Sequence, residues 1–457
     1  MELKKKNSTL SKKSKKDFSN PQMVALGFLV VITIGTILLS LPISSRTKES
    51  SSILNSLFTA TSATCVTGLV VHDTYLHWSK FGQAVIITLI QIGGLGFMTV
   101  ITMFSIVLKR KIGLKERSLL QESVNTMHIG GIVRLIKKVV LGTFLIELLG
   151  AIFLSIRFIP KMGIKSGIFN SIFFSISAFC NAGFDLSGKY GEYSSLITFY
   201  DDVIINITIM LLIIIGGIGF FVWDDIINHK FKYYKYRLHT KIVLSATAIL
   251  ILIPSILFYF LEIDNTIKDM SPINQMIASA FSAVTPRTAG FNTVDTAQLT
   301  PGSKFLTMIL MFIGGSPGST AGGIKTTTFV VIILSAWSSL RNTNDCNIYK
   351  RRLENDTLKK ASTIVCVNST LIICSILIIT NSQPYLDLTD IVFEVLSAID
   401  TVGMSTGITR ELNEISKLVI ITLMYCGRVG SVSFALLFTE NKACSAIQCP
   451  VEKINIG

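Results

Sequence analysis

A chain of 457 residues that is 50% hydrophobic and only 15% charged has too little polar surface to enclose a soluble core. Its net charge of +14 is gathered in short basic segments between long apolar runs. That distribution points to membrane topology and away from nucleic-acid binding.

The chain opens with a lysine-rich segment, 1–20, read as a cytoplasmic tail. The apolar run Gln22–Ser45 is too long for a signal-peptide core and lacks a small-x-small cleavage site, so it reads as a retained span. Phe81–Leu108, Val203–Trp223 and Ile242–Leu261 also reach the ~20 residues that crossing a bilayer requires. Between such runs one phrase returns four times: "SATCVTGL" (Ser62–Leu69), "SAFCNAGF" (Ser177–Phe184), "SAVTPRTAGF" (Ser282–Phe291) and "SAIDTVGM" (Ser397–Met404). Each follows a run too short to span: Ile53–Ser62, Gly167–Ser177, Ile273–Ser282 and Leu388–Ser397. The repeated unit is span, half-helix, glycine-ended loop, span. It divides the chain into 21–112, 134–229, 238–341 with a broken inner helix, and 358–440, before a cytoplasmic tail at 441–457. Basic segments join the units and place both termini in the cytoplasm. The scattered cysteines have neither zinc nor disulfide spacing and read as small buried hydrophobes.

The fold class expected is an all-α polytopic membrane protein. It has four M1–P–M2 repeats like those of potassium channels, giving eight spans and four re-entrant pore loops around one central pore. Non-helical backbone at membrane depth must be buried or face water. Glycine lets successive carbonyls turn toward an axis, where they replace a cation's hydration shell. The half-helices aim their partly negative ends at the same axis. The expected potassium selectivity filter is Val66, Thr67 and Gly68, Asn181, Ala182 and Gly183, Thr288, Ala289 and Gly290, and Thr401, Val402 and Gly403, with K+ at their carbonyls. The last triplet is half of the TVGYG signature. One glycine per loop implies a shorter and less selective filter. Asp73, Asp185, Asp295 and Glu411 follow the loops; a carboxylate ring is one reading, ordinary solvated loops the simpler one.

A second phrase follows each loop: "GGLG" (Gly93–Gly96), "GGIG" (Gly216–Gly219), "GGSPG" (Gly314–Gly318) and "GRVG" (Gly427–Gly430). Close helix packing and hinging both suit it. As one helix, Phe305–Leu340 would run ~54 Å at ~1.5 Å per residue, against a hydrocarbon core of ~30 Å. The span therefore breaks at "GGSPGSTAGGIKT". Gly314, Gly315, Ser316, Pro317, Gly318, Ser319, Thr320, Ala321, Gly322, Gly323 and Lys325 are expected to line the ion path below the filter as a gating loop. Burying a charge in a span costs about 3 kcal/mol or more, so Arg428 is expected to face the pore. It would act there as a barrier or as a partner of the loop. Lys325 either gates or snorkels. Glu147 is a possible partner for a buried cation, with a local hydrogen bond the simpler reading.

Catalysis is not expected. Gly314–Gly318 fits G-x-S-x-G, but the five histidines fall outside or at the margins of the spans. Gly318–Thr326 misses the P-loop pattern because Ile324 separates Gly323 from Lys325. A secondary transporter working by alternating access is the alternative. Four same-sense repeats favour a central pore.

Over residues 20–457 these features resemble the Trk/Ktr/HKT superfamily of potassium transporters, and within it the membrane subunits of bacterial Ktr systems. The resemblance rests on the four loops, the glycine-rich third inner span and Arg428. The absence of a further N-terminal hairpin and the tail "CPVEKINIG" favour the Ktr branch. It implies potassium uptake, often sodium-dependent, with K+ as substrate and Na+ as activator or coupling ion. It also implies a homodimer in membrane lipid and a cytosolic ring of RCK-type regulatory subunits, KtrA-like or KtrC-like. ATP or ADP would bind that partner, with no covalent cofactor on this chain and no nucleic acid. A serine at the Gly68 position accompanies sodium transport in plant relatives, so glycine there favours potassium.

Overall fold

The computed structural model describes residues 20–108, 113, 118, 131–230, 232–341, 346–349 and 351–430. The expected basic tails lie outside these residues, apart from Asn20, as does the stretch 431–440 of the fourth unit. The described helices form four groups in the same order. The first holds α1 (Asn20–Ser40), α2 (Ile53–Cys65), α3 (Lys80–Leu95) and α4 (Phe97–Val107). The second holds α5 (Ile132–Met162), α6 (Ile164–Cys180), α7 (Val203–Gly217) and α8 (Phe220–His229). The third holds α9 (Leu238–Glu262), α10 (Pro272–Val284), α11 (Pro301–Phe312) and α12 (Thr326–Leu340). A small antiparallel hairpin, β1 (Asn347–Ile348) with β2 (Arg351–Arg352), leads to the fourth: α13 (Asn355–Ser382), α14 (Leu388–Ile399) and α15 (Glu414–Val429).

Each group opens with a long helix. Among the described residues α1, α5, α9 and most of α13 are long and apolar enough to cross a membrane. The closing helices differ from the expected continuous spans. Phe81–Leu108 is cut between α3 and α4 at Gly96 (φ +80°). Val203–Trp223 is cut between α7 and α8, which meet at 95° beside Gly219 (φ +95°). Among the described residues, counting that bent pair as one span gives five by length and composition, against the eight expected of the whole chain. The physical reason is local: a left-handed residue ends the run of helical hydrogen bonds although hydropathy continues through it.

The closing helices begin alike. Ser79, Asp202, Thr300 and Asn413 each accept a hydrogen bond from the amide three residues on, at 3.2, 3.4, 3.2 and 2.8 Å. These side chains satisfy amides that have no partner within the helix. Along α5, Thr143, Glu147, Gly150 and Leu154 turn inward while Leu141, Leu145, Leu148 and Ile152 are exposed. An outward stripe so apolar suits lipid rather than water.

Three of the short helices, α2, α6 and α14, are the most enclosed of the described α-helices. Ala60, Phe174, Ala178 and Phe281 share a core with Ile86 of α3 and Ile205 and Leu212 of α7. Val395 and Ile399 of α14 pack with Phe28, Phe58, Ile420 and Leu423. Burial of these faces points all four short-helix ends at the centre.

Candidate ion pathway

The short helices run past the serines at which they were expected to end, finishing at Cys65, Cys180, Val284 and Ile399. The chain then turns through left-handed residues Val66, Asn181, Thr288 and Thr401, with φ of 58°, 60°, 70° and 51°. Two residues on, Gly68, Gly183, Gly290 and Gly403 are left-handed again, at 97°, 68°, 78° and 89°. Alternating φ lets successive carbonyls share one side of the chain. Such angles cost a β-branched residue about 1–3 kcal/mol, so the surroundings must hold them.

The four loops close on one another in cyclic order. A Cβ on Gly68 would stand 2.4 Å from the Ala182 carbonyl oxygen, and one on Gly183 2.8 Å from that of Ala289. One on Gly290 would stand 2.6 Å from the Val402 oxygen, and one on Gly403 2.0 Å from that of Thr67. Each loop thus leans its glycine on the carbonyl of the next, and the fourth returns to the first. All twelve expected filter residues lie in these loops.

The serines of the repeated phrase hold the turns. Ser62 and Ser397 accept from the Gly68 and Gly403 amides at 3.0 Å. Ser177 donates to the Phe184 carbonyl at 2.7 Å. In the longer third copy Thr285 takes that place, donating to the Phe291 carbonyl at 2.6 Å. Arg287, within that copy, is buried and donates to Thr247 at 3.3 Å. The second phrase packs helices closely and turns the chain. A Cβ on Gly93, Gly216 or Gly427 would fall about 2 Å from the Thr64, Phe179 or Ile399 carbonyl oxygen, so these glycines are close-packing points. The last glycines of the phrases, Gly96, Gly219, Gly318 and Gly430, have positive φ and turn the chain.

On the short helices' C-terminal side the ring opens into a cavity of about 240 Å3, lined by the four glycines and by Asp73, Asp185, Asp295 and Arg410. Glu411 is not in that lining. The acids also hold their loops: Asp73 accepts from the Tyr75, Leu76 and Tyr193 amides, Asp185 from Ser187 and Asp295 from Ala297. Burial pushes the Asp185 carboxyl up to about 7 against the Ser187 amide, with Asp73 adding to the rise. Arg410 stacks over the Tyr193 ring at 4.1 Å. The sequence offered no sign of this cation at the mouth, because only folding brings the fourth loop beside the second.

Below the ring the third closing helix is interrupted from Ile313 to Lys325, between α11 and α12. Glycine and proline make the break; contacts with other units fix its path. Ser316 and Thr320 donate backbone N–H groups to Gly217 and Gly216 at 3.0 and 3.3 Å, and the Thr320 hydroxyl donates to Phe179 at 3.1 Å. The Phe220 amide donates to the Gly318 carbonyl at 2.7 Å. Arg428 donates to the Thr320 carbonyl and to Gly93 and Gly94 at the end of α3, joining the fourth unit, the loop and the first unit. Lys325 donates to Ala321 and Gly322 of its own loop at 2.8 and 3.0 Å. Glu147 is buried and accepts from Gln91 of α3 at 3.3 Å, a hydrogen bond between the first and second units and neither of the readings the sequence offered.

The four glycine loops thus close on one another above an interrupted helix. The family model described as TrkH, cation transport protein, matches residues 4–446. The chain belongs to that family. It is 43% identical to the Ktr system potassium uptake protein B of Bacillus subtilis, over 96% of this chain and 97% of that protein. To the potassium/sodium uptake protein NtpJ of Enterococcus hirae it is 40% identical, over 98% and 99%. The crystal structure of the potassium transporter TrkH from Vibrio parahaemolyticus matches with a TM-score of 0.72 at 18% identity, covering 94% of this chain and 86% of that one. That likeness supports the fold. The resemblance read from the loops, the glycine-rich stretch and Arg428 is borne out. TrkH-family membership and the apolar helices make this an integral membrane protein of a cation transport family, not of an enzyme family.

Proposed function

We propose that the chain carries potassium into the cell through the ring formed by its four loops. The observation that carries this reading is the cyclic approach of Gly68, Gly183, Gly290 and Gly403 to the Ala182, Ala289, Val402 and Thr67 carbonyls of the neighbouring loops. A closed ring of dipoles favours a dehydrated cation without a charged side chain. The potassium uptake proteins among its relatives supply the ion. The filter is the twelve residues Val66–Gly68, Asn181–Gly183, Thr288–Gly290 and Thr401–Gly403, and the four units around it act as four M1–P–M2 repeats. The interrupted stretch from Gly314 to Lys325 is the gating loop, with Arg428 as its pore-facing tether. Uptake depends on sodium, as the potassium/sodium name of one relative suggests. The unit is a homodimer under a cytosolic RCK ring that binds ATP or ADP, since Ktr relatives work as systems of more than one component.

Equilibrium cation binding tests the ring. Titration calorimetry of the purified chain in a choline buffer should show K+ binding that Na+ displaces poorly. Gly403→Ala, which would put a Cβ 2.0 Å from the Thr67 carbonyl oxygen, should lose it while the protein elutes as before. Equal affinity for both ions, or binding unchanged by Gly403→Ala, contradicts the reading.

A further inference from the structure

The gating reading leaves open what couples the loop to the filter itself. Arg428 reaches the loop from α15, and Thr320 reaches the end of α6, but neither touches a filter triplet. Asp400 does so by position. It is the residue immediately before Thr401, at the end of α14, where the first two copies of the phrase carry Cys65 and Cys180. The carboxylate is 1% exposed. Its Oδ1 accepts the Ile324 backbone N–H at 3.1 Å. Its Oδ2 is buried without a hydrogen-bond partner.

The loop is shaped for this contact. A Cβ on Gly323 would lie 2.6 Å from Asp400 Oδ1 and 3.0 Å from its Cα, and one on Gly322 would lie 2.1 Å from Thr401 Oγ1. Gly323 is also left-handed, at φ +66°. Two adjacent glycines therefore bring loop backbone onto the base of the fourth filter turn, where any side chain would hold it off. Lys325 is the residue next to Ile324. Its ammonium is held by Ala321 and Gly322, so the cation stays with the loop and does not form an ion pair with Asp400.

We propose that Asp400 is a latch, a positioning residue that fastens the gating loop to the base of the filter through Ile324. The inference rests on the reading of this loop as a gate. Leaving the latched position strips the buried carboxyl group of the one hydrogen bond its side chain makes among the described residues. That loss favours the latched state. Leaving a buried acceptor unpaired in this way shifts a two-state equilibrium by about tenfold.

The test is rubidium flux into liposomes holding the purified full-length chain. Asp400→Ala should raise basal flux about tenfold with the rubidium-to-sodium ratio unchanged. Asp400→Asn keeps an oxygen for the Ile324 amide but lacks the charge, so its increase should be smaller; it decides the matter if the alanine variant fails to insert. In a chain lacking residues 316–323 the Asp400 variants should add nothing to the flux, because there is no loop to release. The latch is overturned if inserted Asp400 variants leave flux unchanged, lower the ion ratio, or raise flux equally with and without the loop. If deletion of the loop alone has no effect while the Asp400 variants still raise flux, the gating reading fails separately, and Asp400 acts on the filter.

Discussion

At the scale of single residues, the decisive atoms are backbone carbonyls, and side chains matter by where they leave room or lend charge. Asp185 lends charge at the mouth. With its carboxyl raised to about 7, it is neutral below that pH and ionised above it. The mouth therefore gains negative charge as external pH rises through neutrality, beside Asp73, Asp295 and Arg410. At limiting potassium, influx should rise over that interval and Asp185→Asn should flatten the rise; influx that falls with pH, or a rise kept by the variant, contradicts this. Arg428 acts from the other side. Arg428→Ala removes the donors that join Thr320 to Gly93 and Gly94, so basal ion flux should rise while membrane insertion persists. Flux equal to the parent's would remove the role. Much at this scale was legible, because the loop glycines recur in a quotable phrase. Ser62, Ser177 and Ser397 stood in that phrase too, but nothing in it said that their hydroxyls brace the turns. Asp400 was equally visible and equally silent, since its meaning depends on Ile324 arriving from another unit.

At the scale of elements, glycine writes two instructions into the closing helices. The first glycine of the phrase lets the helix touch the end of the short helix. Gly216→Ala would push a methyl to 2.0 Å from the Phe179 carbonyl oxygen. Overpacking of that kind costs about 1–3 kcal/mol, so the thermal midpoint of the purified protein should fall by several degrees; an unchanged midpoint would mean that the contact yields freely. In the first two units the last glycine stands where the helix breaks. The third break was legible because a proline, five glycines and excess length coincide between Gly314 and Thr326. Those at Gly96 and Gly219 were not, because the apolar run continues past each of them and hydropathy does not record a change in φ.

At the scale of the whole molecule, four units similar in order but not in sequence close on one another, and the asymmetry among them gathers at the interrupted stretch. The third closing helix is open over thirteen residues, the fourth supplies Arg428 and Asp400, and the first two supply the surfaces against which the loop is held. The order of elements was legible from recurrence. Their cyclic closure was not, because it is a property of contacts between segments more than a hundred residues apart. The central claim is that this closure makes a potassium pathway which the interrupted stretch obstructs. The most direct measurement is rubidium influx into liposomes holding the purified chain, intact and with residues 316–323 deleted. The account predicts low flux from the intact chain and high flux from the deleted one, competed by potassium and poorly by sodium. No flux from either form, with both correctly inserted, would contradict it.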